Sequence, residues 1–190
     1  MDKIQTMIVG VLIAALWLSA SSLAFSLVPP SANVAIIGAI LALIGASSTG
    51  WYLAKTDWDP PTPTKTELEY LPWAIITGIA LQFICMPLVR SGFASIDAGV
   101  LATMVITMGI MLPAAEEVFF RYFLWKKLPA PEVTTTILFA LAHLPSWGWN
   151  RAVLLLIPGI LFAFWRNRSG GIFPGIGCHV AFNVTGLLLT

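Results

Sequence analysis

A chain of 190 residues with 58% hydrophobic and only 10% charged side chains lies far outside the soluble range, and its mean hydropathy of +0.87 says the same. A net charge of +1 without a clustered basic face argues against nucleic acid as a partner. The fold class implied is all-α: a polytopic transmembrane helical bundle of about seven helices, or eight, since each span needs about 20 residues. Residues 1–190 read as a single transmembrane domain, with a motif-bearing core at about 96–190. Cys85 and Cys178 each sit in an apolar run and read as small buried side chains, not as a disulfide framework.

The first expected helix runs from about Ile4 to Val28. It follows Lys3 and lacks a small-residue cleavage site ahead of a polar mature chain, so it reads as retained. The second runs from about Asn33 to Ala54. The polar connection Lys55 to Glu69, with Asp57, Trp58, Asp59, Pro60, Pro61 and Pro63, reads as a stiff exposed loop of no special role. A third helix is expected over about Tyr70 to Val89 and a fourth over Ala98 to Trp125, where Pro113 would kink or divide it by removing a backbone hydrogen bond. The fifth, about Val133 to Trp149, is short in its apolar part and open to a re-entrant reading. The sixth runs from about Ala152 to Trp165 and the seventh from about Ile172 to Leu189. Trp51, Trp147, Trp149 and Trp165, near segment ends, read as interfacial anchors.

With the N-terminus inside, Lys3, Lys55, Lys65, Lys126, Lys127, Arg166 and Arg168 face the cytoplasm and only Arg90 and Arg151 the far side. Seven against two predicts a multi-pass protein with a cytoplasmic N-terminus and a C-terminus on the far side. The same layout assigns depths. At about 1.5 Å per residue, Glu116 lies roughly 15 Å from Lys126, His143 roughly 16 Å from Glu132, and His179 roughly 16 Å from Arg168. In a hydrocarbon core about 30 Å thick, all three reach one level near the middle.

Five ionisable residues at that level, Glu116, Glu117, Arg121, His143 and His179, require pairing, water or a function, because each alone costs roughly 2.5 to 3.5 kcal/mol on insertion scales. Glu117 and Arg121 are four apart on one helical face and read as a neutralising pair; Glu116 points about 100° away, without a local partner, and reads as a general base. His179 and Asn183 present an imidazole and a carboxamide one turn apart, suited to an oxyanion if His179 carries its proton on the facing nitrogen. Phe139 and His143 share a face, with Phe139 read as packing.

The order Glu116-Glu117-x-x-x-Arg121, Phe139-x-x-x-His143, His179-x-x-x-Asn183 on successive apolar segments resembles the CAAX-protease and bacteriocin-processing membrane family (CPBP/ABI), which includes the type II CAAX prenyl endopeptidases. The resemblance spans Glu116 to Asn183. It implies peptide-bond hydrolysis in a helical cavity, with Glu116 and His143 polarising the attacking water, His179 and Asn183 stabilising the oxyanion, and Glu117 and Arg121 supporting the position of Glu116. It further implies a hydrophobic or prenylated peptide or protein as substrate, reached from among the membrane lipids. A metal-free reaction is expected. Zinc on Glu116, His143 and His179 is the alternative, disfavoured because no carboxylate is evidently placed behind either histidine. Other readings are a non-catalytic membrane scaffold or bacteriocin-immunity-type protein whose polar residues form a buried lock, a transporter, and a bis-histidine haem protein.

Overall fold

The computed structural model describes residues 61–89, 97–126 and 128–189, and these are helical with no strand among them. The first two expected helices lie outside the described residues.

Helix α1 spans Lys65–Val89 and begins five residues before the expected Tyr70. The cause is a capping box: the Glu67 N–H donates to Thr64 Oγ1 at 3.2 Å, while Glu67 Oε2 accepts the Thr64 N–H at 3.0 Å. The end of the polar loop is therefore the start of a helix. Asp97 Oδ1 accepts the Gly99 N–H at 2.8 Å and so opens α2, Ala98–Leu124.

Pro113 neither ends nor divides α2. Two wide, π-type stretches, Val105–Met111 and Val118–Leu124, bracket the α-helical turn Leu112–Glu117. In the first of these the Leu112 N–H reaches Thr107 O. The five-residue step would next pair Met108 O with residue 113, a proline with no N–H to give. Strain is thus spread over the surrounding turns, and one carbonyl is released.

Helix α3, Pro131–Ala142, starts on a proline and stops where His143 takes a bridging conformation (φ −89°, ψ −10°). Helix α4, Leu144–Leu154, breaks at Gly148, whose φ of 69° and ψ of 172° only glycine adopts without cost. The expected fifth helix therefore ends early. The helical path from Gly148 continues instead into α5, Leu156–Ser169, and Gly148–Ser169 is long and apolar enough to cross a membrane. The left-handed Gly170 ends α5, and α6 follows as Phe173–Leu188.

Helix α6 is the centre of the described bundle, packed against α1, α2 and α5, while α3 lies against α5 and the second half of α2. The α1–α6 approach is closest at Gly78, where any Cβ would overlap the Cys178 carbonyl oxygen. Small residues let membrane helices come this near, since lipid gives no hydrophobic drive for their association.

Phe119, Phe120, Phe123, Phe139 and Phe162 fill the interior with Cys178, whereas Ile76, Phe83, Ile84, Ile106 and Ile160 lie exposed on the outside. An apolar coat around a polar centre suits lipid as solvent. Three helical stretches, Lys65–Cys85, Ala98–Leu124 and Gly148–Ser169, have the length and hydropathy of membrane spans. Both cysteines are free and buried, as expected.

Trp165 corrects one expectation. It is not an interfacial anchor but a buried residue, 8% exposed and 6.1 Å from the Tyr70 ring. Trp149 is well exposed, while Trp51 and the Trp147 side chain fall outside the described residues.

Candidate active site

Three of the four residues singled out for catalysis meet. Glu116 Oε1 is 3.9 Å from His143 Nε2, and Glu116 Oε2 is 3.7 Å from His179 Nε2. One carboxylate thus lies between two imidazoles brought from α2, the α3–α4 junction and α6. The break after Ala142 matters here, because His143 leaves the helix at the point where it turns toward Glu116.

The outer nitrogens of both rings are fixed. Phe139 O lies 2.8 Å from His143 Nδ1, and a carbonyl only accepts, so Nδ1 carries the proton. Glu117 Oε1 lies 2.9 Å from His179 Nδ1 and 3.2 Å from Arg121 Nη1. Paired with a guanidinium, Glu117 accepts, and His179 Nδ1–H donates. Neutral His143 and His179 then both present an Nε2 lone pair toward Glu116. Acceptors from three residues thus face one another, an arrangement that suits a molecule donating hydrogens, of which water is the smallest.

Among the described residues Arg121 is the most buried cation. It is fully buried, with Nη1 on Glu117, Nη2 on Gly159 O at 3.3 Å, and its Cζ 4.5 Å from the centre of the Phe139 ring. Thr136 Oγ1 also donates to Gly159 O, at 3.3 Å. Among the described residues, Arg121 Nε and Glu117 Oε2 have no hydrogen-bond partner. The Glu117–Arg121 pair read from the sequence is present, but Glu117 also reaches across to His179.

Aromatic rings close the site. Phe162 stacks on His179 with centroids 4.2 Å apart and planes at 19°, and Phe139 packs 4.7 Å from the His143 ring and 5.6 Å from His179. Glu116, Glu117, His143 and His179 are all buried. Such a lining lowers the local dielectric, which strengthens every polar contact inside it.

Asn183 is placed differently. Its Nδ2 donates to Met108 O at 3.2 Å, the carbonyl released ahead of Pro113. One amide hydrogen therefore ties α6 to α2.

The three residues Glu116, His143 and His179 have the chemistry of a catalytic zinc set. The sequence reading saw no carboxylate behind either histidine; Glu117 behind His179 corrects that. The spacing is less favourable. Ligand atoms on one zinc stand about 3.4 Å apart for bonds of about 2.1 Å, whereas these separations are 3.7 and 3.9 Å. Among the described residues no three His, Cys, Asp or Glu side chains form a ready metal-holding group. As they stand, the residue types suit zinc and the two separations are a few tenths of an ångström wider than those of a bound set.

The Glu117–His179 contact was not legible in the sequence, since the partners are 62 positions apart. Nor was Phe162, which lies outside every motif. The Met108 carbonyl was not legible either, since Pro113 in an ordinary α-helix marks the carbonyl of Gly109, and the shift to Met108 follows from the wide turns of the structure.

No curated protein and no solved structure matches the chain at a significant level. Residues 98–185, just under half of the chain, match the family described as type II CAAX prenyl endopeptidase Rce1-like. The matched segment begins at α2 and contains the whole Glu116, His143, His179 cluster. Over residues 98–185 the chain is thus similar to a membrane-embedded protease family, the Rce1-like type II CAAX prenyl endopeptidases.

Proposed function

We propose that the chain is an intramembrane endopeptidase that hydrolyses a peptide bond in a hydrophobic or prenylated, CAAX-type peptide. The observation that carries this reading is the meeting of Glu116 with the Nε2 atoms of His143 and His179 at 3.9 and 3.7 Å in a buried, aromatic-lined centre. A water held there gives one hydrogen to Glu116 and another to His143 Nε2. Glu116 then takes the proton as the oxygen attacks the peptide carbonyl. His179 and Asn183 face the developing oxyanion. His179 donates through Nε2 once it has gained a proton there, and Asn183 donates through the amide hydrogen not spent on Met108.

No metal enters these steps. Zinc analysis of purified protein together with activity after chelation checks this: activity is expected to survive the chelator, and stoichiometric zinc lost together with activity would overturn it.

A substrate tethered in lipid suits a mid-membrane site, because a polar peptide alone reaches that depth only at a large desolvation cost. The decisive assay incubates detergent-solubilised protein with prenylated and unprenylated CAAX peptides and detects a released tripeptide by mass. The wild type is expected to release it from the prenylated peptide. Glu116→Gln and His143→Ala are expected to abolish release while leaving the unfolding temperature nearly unchanged. Persistent cleavage in both variants sinks the assignment.

A further inference from the structure

We infer that Glu117 is a positioning residue that sets the tautomer of His179, and that His179 is thereby the site's proton carrier to the leaving amine. This deepens the proposed hydrolysis and rests on it. Glu117 Oε1 receives both Arg121 Nη1 at 3.2 Å and His179 Nδ1 at 2.9 Å. The guanidinium keeps the oxygen an acceptor, and the acceptor keeps the proton on Nδ1. Phe162, stacked at 4.2 Å, holds the ring in the plane that aims Nε2 at Glu116 Oε2, 3.7 Å away. Neutral His179 therefore enters the reaction as an acceptor and not as a ready N–H donor.

The step balances as follows. Water loses one O–H bond as its oxygen bonds the carbonyl carbon, and the proton goes to a Glu116 oxygen. Glu116 passes it to His179 Nε2, giving an imidazolium whose two N–H groups face Glu117 and the tetrahedral intermediate. As the C–N bond breaks, that Nε2 proton leaves on the amine nitrogen and His179 returns to its starting tautomer. The second water hydrogen stays on the new carboxyl group. Glu117 never exchanges a proton; it orients the ring and opposes the transient positive charge, as the carboxylate does in a Ser-His-Asp triad.

A purely structural Glu117 would damage all substrates alike, so the test compares leaving groups. Glu117→Gln can turn its amide either way, and with its NH2 toward Nδ1 it favours the opposite tautomer. For the scissile amide its kcat is expected to fall about 100-fold or more with KM nearly unchanged. For an ester of the same peptide with a good leaving group, which departs without prior protonation, the fall is expected to stay within about 10-fold. Equal losses for amide and ester overturn the inference. A wild type that cleaves neither overturns the proposed hydrolysis instead.

Nitrogen-15 NMR of ring-labelled histidine settles the tautomer whatever the activity, with the His143→Gln variant assigning the two rings. His179 in the wild type is expected to show a protonated Nδ1 and an unprotonated Nε2, and Glu117→Gln is expected to reverse or mix them. A protonated Nε2 on neutral wild-type His179 ends the inference even if Glu117→Gln fails to accumulate.

Discussion

Arg121 carries the heaviest electrostatic duty of any single residue in the described bundle. It is fully buried, with its Nη1 on Glu117, its Nη2 on Gly159 O and its guanidinium seated over the Phe139 face. Replacing it with Ala leaves Glu117 as an uncompensated buried carboxylate, and breaking such a pair costs about 3 to 5 kcal/mol. Thermal unfolding in detergent should register that loss. Arg121→Lys keeps the charge but not the planar fork, so it should fall between wild type and Ala; a Lys variant as unstable as Ala would mean the charge is not what matters. The Glu117–Arg121 pair was legible because both partners share one helical face four residues apart. The His179 bond to the same carboxylate was not, since nothing along a single sequence ties positions on different helices. Depth counting brought Glu116, His143 and His179 to one level, yet level alone does not say which nitrogen faces which oxygen.

At the scale of elements, α2 and α6 are joined by a carbonyl that α2 cannot satisfy itself. Leu112 donates to Thr107 O, Pro113 has no N–H, and Asn183 Nδ2 reaches Met108 O at 3.2 Å. Leaving that part-buried carbonyl bare should cost about 1 to 3 kcal/mol in Asn183→Ala. Pro113→Ala restores a backbone donor near the same oxygen. The stability losses of the two substitutions should then combine less than additively, by about 1 kcal/mol, in a double-mutant cycle. Strict additivity would show that the bond is incidental. Cleavage adds a second reading of the same cycle. If the free amide hydrogen also serves the oxyanion, Asn183→Ala loses about 100-fold in kcat and Pro113→Ala does not rescue it. Among the described residues the helices themselves were largely foreseen, α2 to within one residue, because hydropathy and length mark a span. Their ends were not: the Thr64–Glu67 capping box lay in plain view inside a stretch read as loop, and equally in view was Pro145, which has no N–H to carry the helix of His143 onward.

For the whole molecule, the family resemblance and the packing draw different boundaries. The matched residues 98–185 hold every group of the proposed site, but α1 lies outside them and is packed along α6, the helix that carries His179. Two contacts make that packing specific. Gly78 leaves no space for a Cβ against the Cys178 carbonyl, one residue before His179. Glu67, 2% exposed, accepts the Phe173 N–H at 3.1 Å and so caps α6 from 106 residues away. The segment containing the motifs is therefore incomplete without its neighbour. Gly78→Leu should push the two helices apart at a cost of about 1 to 3 kcal/mol and displace His179 relative to Glu116. Residues 91–190 expressed alone should be inactive and degraded, whereas co-expression with residues 1–90 as a separate chain should restore a detergent-stable complex that releases the tripeptide. Two-fragment rescue of this kind is known to need helices that recognise one another in the bilayer, which is what the Gly78 contact and the Glu67 cap supply. An active, stable 91–190 fragment would show that α1 only surrounds the site and does not help to build it.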